Sequence, residues 1–314
     1  MMKSMSESNT TPKDARRALF ARTGVLLVTR APQPGARPSP GQPGTASDYV
    51  QPLPDVFIAL QADGRVLAFN GHVDLGTGIR TALAQIVAEE LCVRLERVTM
   101  VLGHTEEAPN QGPTIASATI QISAIPLRKA AAQAREHLLD LAASQLQAPR
   151  AALALDDGVI QVRAEAARAT SYFALVAGRT IALALAPGEV PLKPSADYTI
   201  VGRDAHRVDI PAKVRAQAVY VHDVRVPGML HARVVRPPYP GRDGGAFVGA
   251  SLLAVERDSI AHLPGIVAVV VEGDFVGVVA EREEQAQRAM RALKVRWKAP
   301  PPLALMDDLE ARLR

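Results

Sequence analysis

Apolar and polar residues alternate on both sides of an Ala-Asp-Gly turn at residues 62–64. The alternation covers residues 56–60 (VFIAL) and 65–73 (RVLAFNGHV), and it predicts a β-hairpin. From residue 79 onward the apolar positions recur at helical spacing instead. This spacing predicts a helix that begins near Ile79, and its apolar face includes Ala82, Ile86, Val87 and Leu91.

The same two patterns continue along the chain and predict a mixture of strands and helices. They predict a strand over 98–102, a helix over 122–146, a hairpin around Asp157-Gly158 and a short helix ended by Gly178. Farther on they predict strands around 219–221 and 230–235, and then, over 258–300, a helical turn, two strands, a helix and a strand. This mixed order favours an α+β fold over a doubly wound parallel sheet.

Proline- and glycine-rich stretches divide the chain into segments. Residues 31–52 are dense in Pro, Gly and Ser, which is typical of a poorly ordered lead-in, and residues 185–198 form a Pro-rich connector. The predicted segments are a disordered arm (1–50), a first domain (51–150), a variable connector (151–194), a second domain (195–300) and a truncated tail (301–314).

The N-terminal arm contains a basic pair followed by apolar residues. Arg16-Arg17 precede Leu19-Phe20 and a short apolar run over 24–28, an arrangement that resembles a twin-arginine export signal. Because Arg22 interrupts the apolar segment, we expect a degenerate signal, and a plain basic arm is the alternative. A cytoplasmic and a periplasmic location therefore both stay open.

The amino-acid composition excludes several kinds of binding partner and cofactor site. Aromatic residues make up only 4% of the chain and the net charge is +4, so we expect no stacking platform for nucleic acid. The sequence has no run of 18 apolar residues, and we expect no transmembrane segment. Cys92 is the one cysteine, which excludes an iron–sulfur cluster held by this chain alone. We expect Cys92 to be a small core residue, and no histidine pair has the spacing of a metal site.

Two loops carry residues that suit a polar ligand. Gly76-Thr77-Gly78 comes directly before the helix at Ile79, where free N–H groups and the positive end of the helix dipole can face an anion. A second loop, 113–117 (PTIAS), adds hydroxyl groups that can bind phosphate or heterocycle oxygens without fixed charge. An ordinary strand-to-helix turn and simple helix capping are the alternatives.

The two loops together resemble a known family. Residues 71–91 (GHVDLGTGIRTALAQIVAEEL) followed by 108–121 (APNQGPTIASATIQ) are similar to the molybdopterin-binding subunit of the xanthine dehydrogenase and aldehyde oxidase family. The similarity points to its isoquinoline 1-oxidoreductase and nicotinate dehydrogenase branch. Residues 198–238 and 263–289 resemble that family's α/β hammerhead domain. The resemblance implies a partial molybdopterin-binding domain followed by an α/β hammerhead-like domain.

The resemblance also implies which residues hold a cofactor. The implied cofactor is molybdenum–molybdopterin cytosine dinucleotide, shared with a partner chain. Thr77 stands where the family has a glutamine. No catalytic residue or metal ligand is assigned, because this chain has no segment that matches the family's Gly-Glu motif with the catalytic glutamate. The implied cofactor-binding residues are Gly76, Thr77, Gly78, Thr81, Gln85, Thr114, Ala116, Ser117, Thr119 and Gln121.

The function implied by the resemblance is that of a partial subunit of a multi-chain molybdenum hydroxylase. Such an enzyme oxidises aldehydes or N-heterocycles with water as the oxygen source, and we expect no activity from this chain alone. The implied partners are a second chain with the remaining molybdopterin domains, a [2Fe–2S] ferredoxin-like subunit and a cytochrome c subunit. The alternative is a non-catalytic assembly or scaffold subunit that has lost the cofactor, which Thr77 and the missing motif favour.

Overall fold

The computed structural model describes residues 12–32, 50, 52–238, 249–299 and 309–313. These residues form two compact units that divide between Ala218 and Val219. The sequence placed the division between residues 194 and 195, at the Pro-rich connector. The structure assigns 195–218 to the first unit because this segment is hydrogen-bonded to a helix of that unit, at Glu89 among other positions.

The first unit is built on a five-stranded mixed sheet. In chain order its strands are β1 (Val25–Arg30), β2 (Asp55–Gln61), β3 (Val66–Asn70), β4 (Val98–Leu102) and, after a smaller sheet, β8 (Thr180–Ala184). The spatial order is β4-β3-β2-β1-β8. The outer pairs, β3–β4 and β1–β8, are parallel, and the inner pairs are antiparallel. The predicted hairpin and the predicted strand over 98–102 are confirmed.

Helices cover both faces of this sheet. The covering helices are α1 (Pro12–Ala21), α2 (Ile79–Leu91), α3 (Ala124–Gln145) and α4 (Tyr172–Val176), and a further short helix, α5 (Ile210–Val214), is largely exposed. On one face, Leu26 shares a core with Leu83 of α2 and Leu127 of α3. On the other face, Leu27 shares a core with Leu19 of α1, because successive side chains of a strand point to opposite faces. The two predicted long helices are confirmed, and α3 begins after a wide helical turn at Thr119–Ser123.

Strand β1 corrects the expectation that residues 1–50 form a disordered arm. Val25, Leu26, Leu27 and Val28 are fully buried, and β1 pairs with both β2 and β8. The sequence missed this strand because its apolar run is short and its parallel partner lies far downstream. Residues 1–11 and 33–49 lie outside the described residues.

A three-stranded antiparallel sheet follows α3. It consists of β5 (Leu153–Asp156), β6 (Val159–Val162) and β7 (Glu165–Ser171). Asp157 and Gly158, which join β5 to β6, have φ angles of 43° and 74°, the left-handed conformation that a tight hairpin turn requires. The predicted hairpin and the short helix α4 are confirmed. Strands β7 and β8 lie in the segment that the sequence treated as a variable connector.

In its described residues, the second unit combines small antiparallel sheets with a ten-residue amphipathic helix and a second, five-residue helix. Its elements are β9 (His231–Val235), β10 (Leu252–Glu256), β11 (Ile266–Glu272), β12 (Phe275–Ala280), α6 (Glu283–Ala292), β13 (Lys294–Trp297) and α7 (Leu309–Leu313). The strands pair in the orders β11-β12-β9 and β10-β13. Ala289 of α6 shares a core with Val276 and Val278. The order predicted over 258–300 is confirmed.

One predicted strand of the second unit is wrong. Residues 221–223 form a short 3₁₀ turn, and Val219 and Val221 are exposed. The alternating pattern there is too short to bury either side of a strand.

The mixture of helices with mixed and antiparallel sheets confirms the α+β class. The hammerhead-like designation of the second unit stays a prediction, as do the other segment bounds. Among the helices that the structure describes, none combines the length and apolar character needed to cross a bilayer.

Candidate cofactor-binding site

The glycine loop, residues 74–78, joins the end of β3 to helix α2. Gly76 and Gly78 have φ angles of 97° and 82°, which non-glycine residues rarely adopt. One oxygen of the Asp74 carboxylate accepts hydrogen bonds from the backbone N–H groups of Gly76 (2.9 Å) and Gly78 (3.1 Å), and the other accepts from that of Arg80 (3.1 Å). The loop is therefore folded around its own carboxylate.

Asp74 corrects the expectation of free N–H groups at the start of α2. Partial burial acts to raise the pKa of Asp74, but its three backbone hydrogen bonds outweigh this effect and hold the pKa below its usual value. The carboxylate is thus charged at neutral pH and complements the positive end of the helix dipole. An external anion would have to displace Asp74 to bind these three N–H groups.

The threonine loop, residues 113–119, lies against the glycine loop. The Thr114 hydroxyl accepts a hydrogen bond from Val73 N (3.0 Å). Ala116 and Ser117 have φ angles of 53° and 55° and are exposed. Two successive left-handed non-glycine residues are uncommon in folded chains. The turn therefore presents its backbone and the Ser117 hydroxyl on the surface.

A cleft of about 380 Å³ lies between the two loops. Its polar lining consists of hydroxyl groups, and no charged residue belongs to the lining that the structure describes. Such a lining suits an uncharged, flat ring with hydrogen-bonding edges better than a phosphate group. The lining residues are Thr77, Thr114, Ser117 and Thr119, with Val73, Leu75, Ile79, Ile115, Ala116 and Ile120.

A buried polar network supports the floor of the cleft. The Thr119 hydroxyl is 2.8 Å from Nδ1 of His72, and the two side chains are 6% and 2% exposed. Burial lowers the pKa of His72, against a smaller opposing effect from the backbone of Gln111, so the imidazole is neutral at pH 7. The Gln111 amide accepts from Gly71 N (2.8 Å) and donates to Ser123 O (2.9 Å).

Sequence reasoning gave no role to His72 or Gln111. One feature of the sequence could have indicated a role for His72: it lies just after the apolar strand β3, where side chains of neighbouring elements meet. Gly71 shows how closely they meet, because a Cβ atom at this position would lie 2.2 Å from the Pro109 carbonyl oxygen.

Three of the residues that the sequence nominated do not line this cleft. The buried Thr81 hydroxyl accepts a hydrogen bond from Val208 N (3.1 Å). The Gln85 amide donates to the carbonyl oxygens of Ile200 (3.0 Å) and Arg203 (3.2 Å). Gln121 is exposed on the wide turn before α3. The structure thus brings together Thr77, Thr114, Ala116, Ser117 and Thr119, with Gly76 and Gly78 in the adjoining loop.

The segment that contacts Thr81 and Gln85 is residues 193–209, which we call the strap. Glu89, 1% exposed, accepts hydrogen bonds from the backbone N–H groups of Thr199, Ile200 and Val201, at 3.0, 2.6 and 2.8 Å from Oε2. Burial acts to raise the pKa of Glu89, but Lys193 and these N–H groups lower it below its usual value. Glu89 is therefore a structural anion.

Glu90 fastens the start of the strap in the same way. Its carboxylate binds Arg128 at 2.7 Å and Arg135 at 2.8 Å, and it accepts a hydrogen bond from Lys193 N at 3.0 Å. Arg135 also donates to the Pro191 carbonyl at 2.6 Å. Both buried carboxylates of α2 are thus occupied in holding the chain.

Comparison with known protein families shows to which family this chain belongs. Residues 23–233 match the model of the molybdopterin cofactor-binding domain. The chain belongs to this family. The resemblance stated from the sequence is thereby confirmed, and the matched range includes β1, both loops and the strap.

Relatives extend the match over most of the chain. It is 57% identical over 295 residues to one of the subunits of the nicotinate dehydrogenase from Pseudomonas putida, covering 94% of this chain and 24% of that protein. It is 33% identical over 293 residues to the beta chain of isoquinoline 1-oxidoreductase from Brevundimonas diminuta, covering 81% and 36%. The chain therefore spans only about a quarter to a third of the length of these relatives.

One solved structure similar to part of this molybdopterin cofactor-binding domain is quinoline 2-oxidoreductase from Pseudomonas putida 86. The TM-score is 0.33 at 26% identity, and the match covers 38% of this chain and 15% of that chain.

Cys92 differs from the expected core cysteine of the domain. It is half-buried and ends α2 with a φ of 51°. Burial raises the pKa of its thiol, which keeps the thiol protonated at neutral pH and therefore weakly nucleophilic.

Proposed function

We propose that this chain supplies a molybdopterin-binding part of a multi-chain molybdenum hydroxylase that oxidises an N-heterocycle with water as the oxygen source. The observation that carries the proposal is the uncharged, hydroxyl-lined cleft between the glycine and threonine loops. This cleft lies within the matched cofactor-binding domain.

The cleft fits the pterin part of the cofactor. Thr77 and Thr114 carry rotatable hydroxyl groups that can donate to or accept from the edge of a pterin ring. Apolar residues such as Leu75 and Ile120 can cover its face. When bound, the molybdenum cofactor supplies the two-electron oxidation. The residues of this chain bind and orient the ring and keep water from its apolar face.

The anionic part of the cofactor requires a different position. Because Asp74 already accepts hydrogen bonds from the N–H groups of Gly76, Gly78 and Arg80, we assign the phosphate-bearing end to the exposed turn at Ala116-Ser117. The segment 108–121 around this turn contains no acidic residue. The cytosine dinucleotide form of the cofactor is part of this proposal.

The names of the relatives support an N-heterocycle rather than an aldehyde as the substrate. Both are named for the oxidation of a nitrogen-containing ring compound, nicotinate or isoquinoline. At 57% and 33% identity, this chain is expected to serve a substrate of the same class. Oxidation of aldehydes but not of N-heterocycles by the assembled enzyme would contradict this assignment.

Electron transfer requires partner chains or segments beyond these 314 residues. A single cysteine cannot ligate a [2Fe–2S] cluster, so we propose a ferredoxin-like subunit as the electron acceptor and a cytochrome c subunit beyond it. The remaining molybdopterin domains complete the cofactor site and contribute the base that activates water.

A scaffold function without cofactor is the second candidate. Two observations favour it: Asp74 already binds the loop N–H groups, and Thr77 replaces an amide side chain with a shorter hydroxyl. Thr77→Gln discriminates between the candidates. In a working site the added amide should raise the retained cofactor, whereas in a scaffold it should change nothing.

The proposal is tested by cofactor analysis of the protein purified with its partner chains. Thr114→Ala and Ser117→Ala should each weaken cofactor binding by roughly tenfold, the effect of one lost hydrogen bond to a polar ligand. Gln85→Ala should have a smaller effect because Gln85 faces the strap. Thr99→Ala, at an exposed threonine of β4, is the matched control. Equal pterin and molybdenum content in all four variants, with unchanged melting temperatures, would contradict the assigned cleft.

A further inference from the structure

Helix α2 and the strap are joined along the whole length of the helix. Thr81, Gln85 and Glu89 lie four residues apart, so they project from one face of α2, and each is hydrogen-bonded to the strap. The strap meets Glu89 first and Thr81 last. It therefore runs back along α2 and ends beside the glycine loop.

Arg207, near the end of the strap, contacts the glycine loop directly. Its Nη1 donates to the Gly76 carbonyl oxygen at 2.8 Å. Its aliphatic stem passes over Gly78, where a Cβ atom would lie 3.4 Å from the Arg207 Cδ atom. Asp74 thus binds N–H groups of the loop, whereas Arg207 binds one of its carbonyl oxygens.

The direction of the Arg207 guanidinium is fixed by an acidic neighbour. Asp209 binds it in a bidentate manner, at 3.0 Å from Nε and 2.6 Å from Nη2. Lys213 binds the same carboxylate at 2.5 Å. A bidentate pair restricts the plane of the guanidinium, so the remaining Nη1 group is aimed at the Gly76 carbonyl.

We propose that Arg207 is a positioning residue that fixes the glycine loop and thereby sets Thr77 against the cleft. Gly76 and Gly78 leave the backbone on both sides of Thr77 intrinsically flexible. Asp74 restrains the N–H groups of this segment, and Arg207 restrains its carbonyl side. The connection from Glu89 through the strap to Arg207 lets the far end of α2 determine the position of a cofactor-facing hydroxyl. The role in cofactor binding depends on the proposed function, whereas the positioning of the loop does not.

The positioning is tested directly by backbone amide hydrogen exchange, measured on the complex of this protein and its partner chains. The complex is prepared from molybdenum-depleted medium, so that bound cofactor does not affect the loop. Arg207→Ala should accelerate exchange at the backbone N–H groups of residues 76–80 by about tenfold. Exchange at 199–201, which is anchored on Glu89, should not change. Arg207→Lys retains the charge without the bidentate pair and should give an intermediate acceleration, as should Asp209→Asn. Arg203→Ala, at an exposed strap residue, is the control and should leave exchange over 76–80 unchanged.

Two outcomes would overturn the positioning role. One is unchanged exchange over 76–80 in Arg207→Ala, and the other is equal acceleration over 199–201, which would indicate general loosening of the strap. Arg207→Lys and Asp209→Asn decide the question if Arg207→Ala does not fold. In cofactor-replete preparations Arg207→Ala should also lower pterin content. If wild-type protein holds no pterin while exchange over 76–80 still depends on Arg207, the positioning role stands and the proposed function fails.

Discussion

The two ends of helix α2 use opposite chemistry. At the C-terminal end, the buried carboxylates of Glu89 and Glu90 bind arginine, lysine and the backbone of the strap. At the N-terminal end, the cleft presents hydroxyl groups and apolar side chains, and the carboxylate of Asp74 binds the N–H groups of its own loop.

This difference shows how charge is distributed between the fold and the site. At Glu89 and Glu90, charged side chains hold distant parts of the chain together where water is largely excluded. The cleft carries neutral groups, which suits an uncharged ring with hydrogen-bonding edges. Helix α2 therefore connects an anchoring end, at Glu89 and Glu90, with the end beside the cleft, which we call the binding end after the proposed function.

Neutralising the anchoring end should have the largest effect on stability. Glu89→Gln leaves Lys193 without its buried counterion and weakens three hydrogen bonds, so we expect the free energy of unfolding to fall by about 3 kcal/mol. Denaturant titration measures this loss. Glu96→Gln, at a glutamate near the same end of α2 that lies outside this cluster, is the control. If the two substitutions lowered the free energy of unfolding equally, Glu89 would have no special anchoring role at this end of α2.

A steric change beside the binding end should have the next largest effect. In Gly71→Ala the new Cβ atom would lie 2.2 Å from the Pro109 carbonyl oxygen and 3.0 Å from Gln111 N, so the backbone beneath the cleft must shift. We expect a loss of about 2 kcal/mol in the free energy of unfolding. Gly188→Ala meets no atom within 4 Å and should be neutral. A stable Gly71→Ala variant with unchanged cofactor content would show that the close approach of Gly71 to Pro109 does not shape the cleft.

The charge on Asp74 should give a smaller, pH-dependent effect. Its pKa in the folded chain lies below the ordinary value of 3.8, so its contribution to stability is complete above that value and is lost as the pH falls through the folded-state pKa. Asp74→Asn should therefore reduce stability by about 1 kcal/mol at pH 7. The difference from wild type should shrink below about pH 4. Melting curves of both proteins at pH 7 and pH 3 measure it, and a difference independent of pH would show that the charge has no role.

The features that could be predicted from the sequence are those with local causes. The hairpin, α2, β4 and α3 follow from periodicity, and the two loops follow from their glycine, proline and threonine residues. Thr77, Thr114 and Ser117 were nominated from the two loops together with their resemblance to a known family, and the structure brings them to one cleft.

The features that the sequence missed depend on contacts between distant residues. Strand β1 is a short apolar run whose parallel partner, β8, is far along the chain. In the sequence, Glu89 looks like an ordinary solvated glutamate of a helix, and Thr81 and Gln85 look like cofactor-binding residues. All three are instead hydrogen-bonded to the strap, a contact that the sequence does not reveal. Asp74 was overlooked because an aspartate in a glycine loop gives no sign of which N–H groups it will bind.

The most direct test of the central claim is the cofactor content of the wild-type protein purified with its partner chains. Molybdenum by elemental analysis, pterin by fluorescence after oxidation, and CMP released by acid hydrolysis should each approach one equivalent per chain if the cleft holds molybdopterin cytosine dinucleotide. Molybdenum and pterin without CMP would restrict the account to a simpler form of the cofactor. The absence of pterin from a fully assembled, folded complex would contradict the account and establish the scaffold function.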